Sequence, residues 1–181
     1  MLDKGRLTDH VSLTRRHSAK RATGMRYVQL IRRTEYVHWK LTGRFLSQQQ
    51  GTEFVHLPAI VESAESSPNA AKEAAHRIRK SLSDPISTAG YIHYNAIMLV
   101  RILIDNPGHT FTRNIDAKFT STVKDLLRQG RDMGVQQFLR ETLEFMETQR
   151  AWDEDLAPLV QMWQKEKGRY NKASAMVRIA V

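Results

Sequence analysis

The chain contains no cysteine, which excludes disulfides, thiolate nucleophiles and cysteine-held zinc together. No apolar run reaches the roughly 18 residues that would mark a membrane-spanning helix. The first residues lack the apolar core of a secretory signal, so a cytosolic location is the expectation. Strict apolar–polar alternation is missing as well, and with it the pattern of a sheet. So are the loops that cradle phosphates or raise a nucleophile: there is no Gly-x-x-x-x-Gly-Lys, no Gly-x-Gly-x-x-Gly and no Gly-x-Ser-x-Gly. The histidines, His10, His17, His38, His56, His76, His93 and His109, never form His-Glu-x-x-His, so a helical zinc site has no ligand set. Asp153, Glu154 and Asp155 form an acidic cluster, but at an expected helix start, where acids favour the helix dipole. The chain reads as non-enzymatic, with no metal and no cofactor.

What is present is a length of 181 residues, 41% of them hydrophobic and 26% charged, which suits one domain with a real core. The net charge of +9 is unevenly placed. Residues 1–50 hold 11 Lys/Arg against 3 Asp/Glu, whereas residues 51–181 hold 17 against 16. A nearly neutral body thus follows a basic arm, and such an arm attracts phosphate-bearing partners. Residues 1–23 show no lasting period and read as a flexible tail.

The periodicity from there on is helical. Tyr27, Leu30, Ile31, Thr34, His38, Leu41 and Phe45 share one face of a helix expected over Met25–Gln48, and Arg26, Arg33, Lys40 and Arg44 share another. Thr52-Glu53 is the expected start of a second helix, with Phe54, Leu57, Ile60 and Val61 inward and Pro58 in the first turn. Ser67 caps a third with Pro68 at its first position, running to about Leu82 on a stripe of Ala71, Ala74, Ala75, Ile78 and Leu82. Small residues there imply close helix approach. After the Ser83-Asp84-Pro85 turn comes a segment from Tyr91 to Ile104 that is apolar almost all round, the mark of a central buried helix. Asn106-Pro107-Gly108 ends it. A short helix near Thr110–Ala117 follows, then one through Phe119, Val123, Leu126 and Leu127 closed by Gly130. A long one capped by Asp132 comes next, and a last one starts near Asp153 and buries Leu156, Leu159, Val160 and Trp163. Residues 169–181 lack a clear period and read as a C-terminal tail. About eight helices on short loops favour sequential stacking.

Several phrases, taken in order, resemble the VHS domains of vesicle-sorting adaptors, in the ENTH/VHS superfamily. They are Leu57-Pro58-Ala59-Ile60-Val61-Glu62, then Pro68-Asn69-Ala70-Ala71-Lys72-Glu73-Ala74, then Asn106-Pro107-Gly108 with Phe111 three residues on. Lys118-Phe119 with Val123 and Leu159-Val160-Gln161-Met162-Trp163 through Lys167-Gly168 complete the set. The resemblance covers about residues 53–168, within a domain expected over 24–168. It implies an all-α, right-handed superhelix of about eight helices and a non-catalytic adaptor, cytoplasmic and peripheral to endosomal or Golgi membranes.

The resemblance also implies sites. The ubiquitin position falls on Phe54, Leu57 and Pro58, with phenylalanine where ubiquitin-binding members carry tryptophan and proline where leucine is frequent. A groove for an acidic sorting-signal peptide falls on Lys124 and Arg128 of the sixth helix and Gln161 and Lys165 of the eighth. Arg26, Arg32, Arg33, Lys40 and Arg44 are the candidates for an anionic, phosphoinositide-bearing membrane surface; nucleic acid is not the expected partner. Two other readings stay open. The domain that reads the C-terminal repeats of RNA polymerase has a similar superhelix and would need an arginine such as Arg101 for a phosphopeptide. A self-associating structural module would use Trp39 or Trp152 as an anchor, although each is expected to pack on its own domain.

Overall fold

The computed structural model describes residues 42–47 and 56–179, with the side chains of the last helix described as far as Arg169. Arg26, Arg32, Arg33, Lys40 and Phe54 lie outside these residues. Among the described residues the chain is all-α. Residues 42–47 are helical (α1), followed by α2 (Leu57–Ser66), α3 (Pro68–Leu82), α4 (Gly90–Asp105), α5 (His109–Thr112), α6 (Ala117–Gln129), α7 (Met133–Gln149), a 3-10 turn (Glu154–Leu156) and α8 (Ala157–Ile179).

The helix starts follow side-chain chemistry. The Ser67 hydroxyl accepts the Ala70 N–H at 3.3 Å, Asp116 Oδ1 accepts that of Phe119 at 2.7 Å, and Asp132 Oδ1 that of Val135 at 3.0 Å. Each bond satisfies one of the orphan donors of a first turn. Four boundaries differ from the sequence reading. The second helix starts at Leu57 rather than at Thr52-Glu53, with Pro58 in its first turn, where a missing N–H is harmless. The fifth stops at Thr112, because the Asn114 amide donates to the carbonyls of Thr110 and Phe111 and turns the chain. Asp153 caps the 3-10 turn by accepting the Asp155 N–H, so α8 proper begins at Ala157 with Pro158 in its first turn. The helical backbone of α8 continues past Gly168 to Ile179, where the sequence reading placed a tail.

α2 packs on α3, α3 on α4, α4 on α5, α6 on α7 and α7 on α8, and three pairs of helices three apart pack as well: α2 on α5, α3 on α6, α4 on α7. The two centre helices earn their position differently. On α3, Ala71, Ala74 and Ala75 are buried beside Ile78 and Leu82, and these small side chains let its neighbours approach. α4 buries eight residues, from His93 to Ile104. Gly108, at φ +63°, takes the left-handed turn that leads out of α4, a conformation a side chain disfavours. Its N–H bonds the Leu103 carbonyl at 3.1 Å, answering one of the free carbonyls at the helix end.

α4 and α7 run parallel and in register. Gly90 lies against the Asp132 carboxylate, the Tyr94 ring stacks on Phe138 with centroids 4.5 Å apart, Arg101 lies over the Phe145 ring at 4.6 Å, and Asp105 pairs with Arg150. α1 is tied to the same centre. Phe45 and Leu46 are buried in the common core, and the buried Asn95 amide donates to the Phe45 carbonyl at 3.2 Å.

His93 lies in α4 at 2% exposure, with its Nε2 unpartnered. Burial pulls its pKa below the ordinary 6.5, outweighing a backbone bond to Asp84 and the charges of Asp84 and Asp132, which push it up. A histidine depressed in the fold binds fewer protons folded than unfolded. Its contribution is therefore complete above pH 6.5 and is lost as the pH falls below that value toward the folded pKa. Resistance of the wild type to urea should fall as the pH is lowered from 7.5 to 5, and the His93→Gln variant should show a shallower slope. Equal slopes would remove His93 as the cause.

Candidate functional site

The face that combines exposure with apolar chemistry lies along the parallel pair α4 and α7. Tyr94, Met98 and Arg101 recur at i, i+4 and i+7 on α4, and Phe138 and Phe145 at i and i+7 on α7, so each set lines one side of its helix. Tyr94 is 44% exposed even though it stacks on Phe138. Met98, Phe138 and Phe145 are half-buried. Met133, in the first turn of α7, is 79% exposed. Phe145 carries the Arg101 guanidinium on its face, a cation–π contact that leaves a cation on an aromatic surface. Aromatics, Met and Arg are the residue types that anchor protein–protein contacts.

The sites proposed from sequence fall in other places. Leu57 is half-buried against the core and Pro58 is exposed, both in the first turn of α2; α2 packs on α3 and α5. Arg44 is exposed on α1. The structure does bring Lys124 and Arg128 of α6 beside α8, where Gln161 and Lys165 are exposed. Arg128, however, is engaged by a residue the sequence reading did not name. Its Nε and Nη2 donate to the Glu166 carboxylate at 3.0 and 2.6 Å, and Arg169 adds a third bond at 3.3 Å. The Arg128 bond, helped by the charges of Arg128, Arg169 and Lys124, holds the Glu166 carboxyl below its usual range. The mouth between α6 and α8 thus holds a carboxylate that already engages Arg128, one of the cations an acidic peptide would seek. Glu166 was legible as Arg128's partner only through the α6–α8 packing, which no local spacing encodes.

Trp152 differs from expectation. It is 70% exposed in the turn after α7, with the Arg150 guanidinium over its ring at 5.1 Å. Its neighbour Asp153 is buried and caps the 3-10 turn.

His109, Asp153 and Asp155 are the groups nearest to a metal-ligand set among the described residues, their ligand atoms within 4.8 Å of one another. Both carboxylates serve the fold. Asp153 is the cap, and Asp155 accepts the Thr112 hydroxyl at 3.2 Å and pairs with His109 Nδ1 at 2.8 Å. The cluster fastens α5 to the 3-10 turn.

Compared with models of known families and with curated proteins, the chain matches none.

Proposed function

We propose that this chain is a non-catalytic adaptor module of the ENTH/VHS kind, a right-handed helical superhelix that docks ubiquitin in endosomal or Golgi sorting. The observation that carries the reading is the half-exposed aromatic strip of α4 and α7, led by Tyr94 on Phe138. The packing of helices three apart supports the superhelical part of it. Between the two ligands expected for such a module, the geometry favours ubiquitin over an acidic sorting signal. Ubiquitin binds through a small apolar patch, which suits a surface of Tyr, Met and Phe, whereas Arg128, a cation of the α6–α8 mouth, is already paired with Glu166. The basic N-terminal residues Arg26, Arg32, Arg33, Lys40 and Arg44 would add attraction to an anionic membrane at about 1 kcal/mol each.

The test is an NMR titration of the labelled chain with ubiquitin. Shifts on Tyr94, Met98, Phe138 and Phe145, abolished by Tyr94→Ser with the rest of the spectrum intact, are the expected result. Unmoved resonances at millimolar ubiquitin would overturn it. Arg101 on this strip also favours a second reading, a phosphopeptide lying along α4 with its phosphate on that guanidinium. Saturable binding of a phosphorylated polymerase-repeat peptide, lost in Arg101→Gln, would replace the first.

A further inference from the structure

The start of α5 packs on the 3-10 turn that precedes α8, and three metal-ligating side chains meet at that junction. His109 is the first residue of α5, and Asp153 and Asp155 flank Glu154, the first residue of the turn. The acids alone are the chemistry of a helix start. The histidine is not, and it reaches them only through the packing of α5 on the turn. One imidazole nitrogen and one oxygen from each carboxylate lie within 4.8 Å of one another, and His109 Nδ1 stands 2.8 Å from Asp155 Oδ2. Nitrogen and oxygen ligands held at about 2.1 Å from one ion are roughly 3.0–3.4 Å apart, so shifts of about 1 Å close the set.

The burial of Asp153 is what singles this cluster out. Asp116 and Asp132, which cap α6 and α7, are exposed, so water reaches their carboxylates. Asp153 caps from a buried position, at 7% exposure. Its Oδ1 accepts the Asp155 N–H at 3.1 Å, and its Oδ2 has no hydrogen-bond partner among the described residues. Among those residues, neither Asp153 nor Asp155 has a Lys or Arg within ion-pair distance. A buried carboxylate is stable when it is paired or bound to a metal. The surroundings also have the form of a supporting shell. Thr112, 0% exposed, donates its hydroxyl to Asp155 Oδ2 at 3.2 Å, a bond that orients a ligating carboxylate. The His109 side chain, 77% exposed, leaves the junction open to solvent, and with it an entry path.

We infer that this junction binds a divalent first-row metal ion of the zinc class through His109, Asp153 and Asp155. One imidazole with two carboxylates suits zinc and its neighbours, whereas magnesium and calcium take oxygen ligands throughout. The two carboxylates match the charge of the ion, and three protein ligands leave a position for water. The site shares no residue with the α4–α7 strip and does not depend on its reading. Its effect would fall on the fold. α5 is a single turn of four residues held by its neighbours, and the ion would clasp it to the turn from which α8 begins. Because the three ligands come together only in the folded chain, zinc bound there stabilises that state.

The experiment is calorimetric titration of the full chain, stripped with a chelator, with zinc chloride, in parallel with melting temperature against zinc dose. Two variants remove ligands. His109→Ala takes away an exposed side chain, and Asp153→Asn keeps an oxygen that can cap the turn while removing the charge. Circular dichroism checks both folds, and His109→Ala decides the matter by itself if Asp153→Asn is misfolded. The expected result is one zinc per chain and a melting temperature that rises with zinc. Each variant should weaken binding by more than roughly tenfold and abolish the rise. His10→Ala with His17→Ala, in the basic arm, should change the affinity less than about twofold. Cobalt(II) in place of zinc should give a visible absorption band that His109→Ala shifts or removes. No saturable heat with wild type, a melting temperature that zinc leaves unmoved or lowers, or binding that follows the arm histidines and ignores His109 overturns the site. Equal stabilisation by magnesium that survives His109→Ala overturns the metal class.

Discussion

Phe111→Ala should destabilise the fold by about 3–5 kcal/mol, the range for deleting a fully buried aromatic ring. Phe111 is 0% exposed and belongs to α5, a helix of four residues. A single turn has no stability of its own, because nucleating a helix is unfavourable at that length. What holds α5 is its contacts with α2, α3, α4 and the 3-10 turn, and Phe111 is its large buried side chain. Removing the ring leaves a cavity where these elements meet. Domains of this kind have about 5–15 kcal/mol in total, so the loss is a large fraction of the whole. Urea unfolding followed by circular dichroism measures it, with Phe111→Leu as the milder control at less than about 1.5 kcal/mol. A Phe111→Ala midpoint within error of wild type would mean that α5 is not a structural junction.

Gly130→Ala is the second large effect, at about 2–4 kcal/mol, and its cause is space rather than backbone angle. The φ of Gly130 is −63°, which any residue can adopt. A Cβ there would meet the Leu126 carbonyl at 2.7 Å and overlap the Gln136 side-chain amide. That amide is buried and donates to the same Leu126 carbonyl at 2.7 Å, joining the end of α6 to the first turns of α7. The methyl therefore strains the backbone and also ejects a buried hydrogen bond, leaving the amide without its partner. Gln136→Leu removes the amide while keeping bulk; in that background the methyl displaces one group fewer, and the two changes should be clearly non-additive in a double-mutant cycle. Additive losses would show that Gln136 is not what the methyl displaces.

Much of the helical framework was legible because its signals are local. Ser67 before Pro68, Asp132 before Met133 and Gly130 after Gln129 are chemistry within a few residues, and each marks the boundary expected of it. The nearly all-round apolar character of Tyr91–Ile104 correctly gave α4 a central place. What was not legible arises between helices distant in sequence. The pairing of Arg128 with Glu166, 38 positions apart, depends on how α6 meets α8. The alignment of Tyr94 with Phe138 depends likewise on α4 and α7 running parallel, and His109 meets Asp155 only because α5 packs on the 3-10 turn. In each case the residue types were visible, and the face they share was not.

The parallel register of α4 and α7 carries one more consequence. A ligand seated on Tyr94 and Phe138 would straddle two segments joined through the core and separated by two other helices in the sequence. It could not be released by loosening one end of the chain, and it would favour the fully folded state alone. Occupancy at a hundredfold excess over the dissociation constant would then add about 2.7 kcal/mol to the unfolding free energy of the entire domain. The melting temperature becomes a reporter of partner concentration, and a scan of melting temperature against ligand dose would register an interaction too weak to survive isolation.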